Sequence, residues 1–239
     1  MQTGISKSRP AGDAKSLATL RVDVIADLVC PWCYIGKRRL DRALGAVYGP
    51  AAVTWYPYQL NPDMPEDGMS LDDYLNSRFG NPSAIEPALE ELRKAGKVEG
   101  INFDFSRIRR VPNTLPAHKL MYLAQSKGAD PNALAETLMS RFFEQGRDIS
   151  DPEVLVSAGQ LHGLSPSDVR QVLDDDAATQ IVLSQEKQMR GSGVAGVPAF
   201  LVNQQLFVSG AHDTDVLVSM FDRAMFGETD LDDDQTALH

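Results

Sequence analysis

Signs of β-structure in this chain are confined to two short regions that lie far apart. Residues 20–29, LRVDVIADLV, set β-branched and apolar side chains in near alternation, and residues 51–60, AAVTWYPYQL, read as a second strand. Between them PWCYIGKRRLDRALGAVY (31–48) carries Leu40, Ala43, Leu44 and Val47 at helical spacing and closes at Gly49-Pro50. Strand, helix, strand at this spacing is a βαβ unit. Beyond Asn61 the texture is helical for more than a hundred residues, and β-signal returns only at VPAFLVNQQLFVSG (197–210). That stretch holds two apolar runs about Asn203-Gln204-Gln205, a hairpin pattern, and a last helix from about Asp213 to Phe226 follows it. Neither end can bury a sheet by itself, so the two must pair across the helical block.

The helical block declares its own starts. Asp130-Pro131, Asp151-Pro152 and Ser165-Pro166 each place a capping side chain before a proline at the first helical position. Helices are expected over SLDDYLNSRF (70–79), 87–97, 113–128, 131–146, 151–163 and 165–193. The chain therefore divides into a flexible leader (1–19), a sheet-containing domain from 20–66 and 185–226, a helical insertion (67–184) and an acidic tail (227–239). A formal net charge of −10 argues against a nucleic-acid partner, which needs clustered Lys and Arg; RIRR (107–110) reads as a solvated helix end or loop. The first twenty residues lack the apolar core of a secretory signal, and no apolar stretch is long enough to span a bilayer. The expected compartment is the cytoplasm, with no membrane partner, and there structural disulfides are rare.

Against that background the only two cysteines, Cys30 and Cys33, fall together in VCPWCYIGK (29–37), at the junction of the first strand and first helix. Thiol–disulfide exchange needs a nucleophilic thiolate and a second thiol close enough to resolve the mixed disulfide. Unpaired N–H groups at a helix N-terminus favour an anion on Cys30, the expected attacking thiol, with Cys33, one turn on and better shielded, as the resolving thiol. Pro31 and Trp32 shape the turn between them and should influence redox poise. Lys37, Arg38 and Arg39 add positive charge, expected to point mostly to solvent. A structural bridge across so small a loop would contribute only about 2 kcal/mol. A zinc site needs about four ligands, and His118, His162, His212 and His239 lack the necessary spacing. Two inert buried cysteines would not explain the junction. The second element is Gly196-Val197-Pro198: either a strand-start turn, or a cis Val197–Pro198 bond presenting Val197 N–H and C=O beside Cys30 to an extended peptide.

DLVCPWCYIGKRRL, YQLNPDMPEDGMS, NTLPAHKL, FFEQGRDISD and GVAGVPAFLVNQQLFVSGAH together resemble the DsbA-type thioredoxin superfamily, in particular its FrnE-like branch, over roughly residues 20–226. The resemblance implies an α/β class, thioredoxin-like fold interrupted by an inserted all-helical domain, a cis-proline at Pro198, and oxidoreductase or disulfide-isomerase activity. The same superfamily contains glutathione-transferase kappa enzymes and 2-hydroxychromene-2-carboxylate isomerases, which generally carry serine where Cys30 stands. This chain also has His212 in GAH where the family leads one to expect glutamine. Asp27 is either a proton carrier for the thiols or, sharing its strand parity with Asp23, a solvated strand end or a turn acid. Asn113, Thr114 and His118 are candidates for lining a substrate groove, against the alternatives of helix cap and partly buried helix residue. Asn61, with Pro62, lies on the family's glutathione-contact side, or forms a simple turn. Met64, Met69, Met121 and Met139 are either an adaptable client surface or core.

The reading is a cytoplasmic thiol–disulfide oxidoreductase acting on protein or small-molecule thiols and disulfides. No metal, flavin or nucleotide cofactor is expected, and glutathione is a candidate co-substrate by resemblance. The alternatives are a glutathione-dependent isomerase of small aromatic molecules and a client-binding chaperone.

Overall fold

The computed structural model describes residues 19–80 and 82–227. The leader and the acidic tail lie outside these apart from one boundary residue each. The two β-containing ends of the chain meet in one four-stranded sheet of order β2-β1-β5-β6, built from β1 (Leu20–Ala26), β2 (Ala51–Pro57), β5 (Ala199–Val202) and β6 (Leu206–Ser209). β1 runs parallel to β2, from Leu20 opposite Ala51 to Ala26 opposite Pro57, with α1 (Pro31–Gly45) as the crossover. β5 is antiparallel to β1, with Val24 opposite Phe200, and a tight turn returns the chain into β6. Asn203 and Gln204 take positive φ in that turn, +50° and +59°. Asn203 is the residue of the pair suited to it, and its Oδ1 accepts from Arg21 N at 2.9 Å, tying the turn back to β1.

The alternation read in the sequence becomes two faces. Val22, Val24, Ala26, Phe200 and Val202 belong to the main core with Leu40 of α1 and Phe221 of α9 (Thr214–Phe226). Ile25 and Ala199 belong to a smaller cluster with Tyr58 and Val194, against which Met189 of α8 (Asp176–Gly191) packs. The expected domain boundary at residue 185 falls inside α8, a continuous helix.

Between β2 and α8 come α2 (Leu71–Phe79), α3 (Glu86–Val98), α4 (Leu115–Ser126), α5 (Pro131–Phe143), α6 (Pro152–Leu161) and α7 (Pro166–Asp174). Caps act where the sequence placed them: Asp130, Asp151 and Ser165 accept from backbone N–H groups of the first turns of α5, α6 and α7. The stretch 165–193 is two helices, because Asp175 leaves helical geometry and caps α8 through Ala177 N. β3 (Met69–Ser70) and β4 (Arg110–Val111) form a two-residue ladder that escapes sequence reading, being too short to show alternation. β1 stops at Ala26 rather than residue 29, because Asp27 turns the chain. β2 and α1 also end earlier than their patterns, at Pro57 and Gly45.

Helix α1 is the joint between sheet and insertion. Tyr34 is fully buried, with its ring 6.0 Å from that of Phe103, edge on, and 6.1 Å from that of Phe143. The basic run after it does not point mostly to solvent. Lys37 is 4 % exposed, its Nζ 2.7 Å from Asp41 and 2.8 Å from Glu136 of α5. Arg38 reaches Glu136, and Arg39 reaches Glu99 and Asp213. The insertion lays its carboxylates across this face of α1, so the cations clamp two parts of the fold together.

Candidate active site

The site is made where β1 gives way to α1. Asp27 turns the chain: its backbone carbonyl accepts from Cys30 N at 3.3 Å, and its own carboxylate accepts from Leu28 N at 2.8 Å. Cys30 is thereby the N-cap of α1, in extended geometry, with Pro31 as the first helical residue. Its Sγ accepts from Cys33 N at 3.3 Å, so a thiol does here what a Ser or Asp side chain does at an ordinary cap. That N–H and the positive end of the helix dipole stabilise negative charge on the Cys30 sulfur. Both cysteines are free.

Cys30 is 4 % exposed and Cys33 1 %. Cys30 is thus nearly as covered as Cys33, and its Sγ lies 3.9 Å from the Val197 carbonyl. The Val197–Pro198 peptide is cis. Pro198 is held from two sides. Its carbonyl accepts from Gly210 N at 2.7 Å, and its ring packs on Gly36 of α1, where an added Cβ would stand 2.9 Å from Pro198 Cγ. Gly36 was not singled out in the sequence, since the neighbour it admits is distant along the chain. His212 closes its own turn, Nε2 to Ser209 O at 2.9 Å, while Arg39 donates to the adjacent Ala211 carbonyl at 2.6 Å.

Burial pushes the Cys33 thiol well above its ordinary pKa, assisted by its hydrogen bond with Cys30, the Cys30 charge and the Asp27 charge, and opposed by a backbone hydrogen bond at Asp27. Asp27 is no solvated strand acid: it is fully buried, accepting from Leu60 N at 2.7 Å as well as Leu28 N, with His118 Nε2 3.3 Å from its Oδ1. The Leu60 segment is fixed from α8. Glu186, 4 % exposed, accepts from Gln59 N and Gln59 Nε2, both at 2.9 Å, and pairs with Arg190, whose guanidinium lies 3.8 Å from the Tyr58 ring centroid.

Beside Cys30 runs an apolar groove of about 220 Å³, lined by Val29, Pro31, Leu60, Leu71 and Phe105, with Asn61 as a polar member. Asn61 also accepts from Met64 N through its backbone, so turn and groove roles coincide. Of the two readings open for each of Asn113, Thr114 and His118, the groove one fails, since none of the three lines it. Asn113 ties Met64 O to Leu115 N, Thr114 is buried at the start of α4, and His118 is drawn behind the cysteines by Asp27. Trp32 is half-buried against the core. Met64, Met121 and Met139 are buried and Met69 lines a second cleft, so the methionines form no exposed client surface. Among the described residues no group of three or more His, Cys, Asp or Glu is placed to hold a metal, and no helix is long and apolar enough to cross a membrane.

The family model for the DSBA-like thioredoxin domain matches residues 21–222. Among solved structures, the chain is similar to a probable DsbA oxidoreductase from Streptomyces coelicolor, at 29 % identity and TM-score 0.79 over 89 % of this chain and 92 % of that one. It shares its fold with a 2-hydroxychromene-2-carboxylate isomerase, at 17 % identity and TM-score 0.65, covering 85 % and 95 % of the two chains. The cytosolic disulfide reductase DsbM from Pseudomonas aeruginosa, solved with glutathione, shares it at 16 % identity and TM-score 0.53, covering 86 % and 95 %.

Proposed function

Taking as premise that this chain belongs to the DSBA-like thioredoxin domain family, we propose that it is a thiol–disulfide oxidoreductase whose working couple is Cys30–Cys33. The observation that carries the reading is the cap: two free thiols one turn apart, with the Cys33 N–H directed at the Cys30 sulfur and the Val197 carbonyl beside it. In the reducing direction, Cys30 thiolate attacks a substrate disulfide, forming a mixed disulfide and releasing one substrate thiolate. Cys33 loses its proton, in this reading to Asp27, and its thiolate attacks the Cys30 sulfur. The second substrate thiolate leaves, and two electrons have passed from the dithiol to the substrate. Two glutathione molecules would return them, becoming glutathione disulfide. The likeness in fold to a cytosolic disulfide reductase solved with glutathione supports that co-substrate, a cytoplasmic setting and the reducing direction.

Val197, joined to Pro198 by the cis bond, borders the sulfur where an extended substrate backbone would lie, and Pro31 and Asn61 line the groove next to it. That apolar groove and the shared fold also support a second reading, glutathione-dependent isomerisation of a small aromatic molecule. One experiment separates the two. In the first reading Cys33→Ala accumulates a mixed disulfide with substrate, and Cys30→Ser abolishes reduction of insulin by glutathione. An isomerase that survives replacement of both cysteines, with no mixed disulfide trapped by Cys33→Ala, would refute it.

A further inference from the structure

Resolution of the mixed disulfide needs Cys33 to lose a proton, yet Cys33 is 1 % exposed and Asp27, whose charge acts on that thiol, is fully buried as well. A proton handed to Asp27 therefore has no direct way to solvent. The side chain within reach of the carboxylate that can take it on is His118 of α4, with Nε2 3.3 Å from Asp27 Oδ1. His118 also lines a cavity of about 10 Å³ together with Gln125 and Gln185, a volume that accommodates about one water molecule. Its other lining residues include the half-buried Tyr56, Tyr122 and Gln185, so the wall of the cavity is only partly sealed from solvent. Gln125 is held in place by two hydrogen bonds to the Trp55 backbone, 2.7 and 3.0 Å.

We propose that His118 is the proton relay of this site, carrying the Cys33 proton from Asp27 to water in the cavity that His118 lines. The inference rests on the dithiol reading above. Before the step Cys33 is a thiol, Asp27 a carboxylate and His118 neutral with its proton on Nδ1, so that Nε2 is free to accept. The proton leaves the Cys33 sulfur for Asp27 and passes to Nε2, leaving a Cys33 thiolate, an Asp27 carboxylate and a His118 imidazolium. His118 then gives its Nδ1 proton to the cavity water and is neutral again as the Nε2–H tautomer, which the reverse step resets. In the oxidising direction the same groups return the proton to the leaving Cys33 thiolate.

The titratable groups facing the pair are Cys30 and Cys33 of α1 and Tyr56 of β2, with Tyr122 from α4 itself. α8 presents neutral Gln185, its Glu186 being turned to Gln59 and Arg190. Lys119 of α4 donates to the Leu173 carbonyl of α7, and the buried residues of α5, α6 and α7 are apolar.

The test uses the full chain carrying a chromogenic aryl thiol as a mixed disulfide on Cys30, formed at low pH. A jump to higher pH lets Cys33 release the coloured thiolate, and the rate is followed against pH. His118→Gln keeps a polar amide beside Asp27 but cannot carry a proton. Release from it should be about tenfold slower than from the wild type near neutrality, with the gap closing at alkaline pH, where hydroxide serves. A His118→Gln profile parallel to the wild type, whether equal or uniformly slower, would leave His118 with a packing role only and overturn the relay. Absence of release from the wild type would refute the dithiol reading and the relay with it. A measurement on the wild type alone guards against a variant that fails to fold. The His118 ring signals, titrated by NMR, should differ between dithiol and disulfide forms, and identical titrations would also overturn the proposal.

Discussion

Gly36→Ala isolates the packing of the Pro198 turn on the helix that carries the cysteines. Gly36 lies inside α1, where alanine is ordinarily favoured over glycine by about 1 kcal/mol. The position should therefore stabilise on substitution if helix propensity alone governed it. The added Cβ would, however, stand 2.9 Å from Pro198 Cγ and 3.3 Å from Phe200 Cζ. Restoring an ordinary carbon–carbon separation moves the proline ring by about 0.6 Å or more. The ring cannot retreat freely, because the Pro198 carbonyl is bonded to Gly210 N and Phe200 is fully buried in β5. Overpacking of this kind costs about 1–3 kcal/mol, so after the propensity gain the net loss is about 0–2 kcal/mol. The functional effect should be larger. The Val197 carbonyl, 3.9 Å from Cys30 Sγ, shifts with the turn, and a displacement of this size at a reacting centre can slow reaction about tenfold to a hundredfold. Urea unfolding of the reduced protein and the rate of insulin reduction measure the two consequences separately. A variant more stable by the full helix increment with unaltered reduction would refute the reasoning.

Other outcomes follow from buried charge. Because burial raises the Cys33 pKa, the folded reduced protein holds a proton that the unfolded chain gives up above about pH 8.5. Stability of the reduced form should be unaffected by this thiol below that pH and fall by up to about 1.4 kcal/mol per pH unit above it. Denaturation curves of the oxidised protein should lack that slope; equal slopes in both forms would count against it. Glu136 behaves oppositely. Burial alone would raise its pKa, but Lys37, Tyr34 and Arg38 outweigh that and hold it below the usual carboxylate range. Its contribution is present above about pH 4.3 and is lost as pH falls through the depressed value, so Glu136→Gln should flatten the acid limb of a stability–pH profile. Glu186→Ala leaves Gln59 N and Nε2 and the Arg190 guanidinium without their carboxylate in a buried setting, and should cost about 3 kcal/mol by chemical denaturation. A loss under 1 kcal/mol would show that the Gln59 segment is held by other contacts.

The two β-regions and the caps were legible because their signals are local. Alternation at 20–26 and the proline-led caps at Asp130, Asp151 and Ser165 depend on a few consecutive residues. The pairing of Cys30 with Pro198 was legible through motifs that resemble a known family. What escaped was set by distance along the chain. Lys37 reads as a solvated cation until Glu136, far away in the insertion, covers it. Asp27 reads as a proton carrier, a solvated strand end or a turn acid, and only Leu60 N and His118, closing over it, rule out the solvated one.

From the sequence alone followed the order of elements, the position of Cys30 at a helix start, and the necessity that both ends of the chain share one sheet. Each depends on backbone periodicity and on the rule that a small sheet fragment cannot be buried alone. Tertiary structure alone decided which groups face the cysteines from behind, why Gly36 and Gly210 border Pro198, and where the apolar groove runs. Those relations are contacts between side chains and backbone brought together only by packing. The energy of each depends on distance and burial, and neither is written in the spacing of residues along a chain.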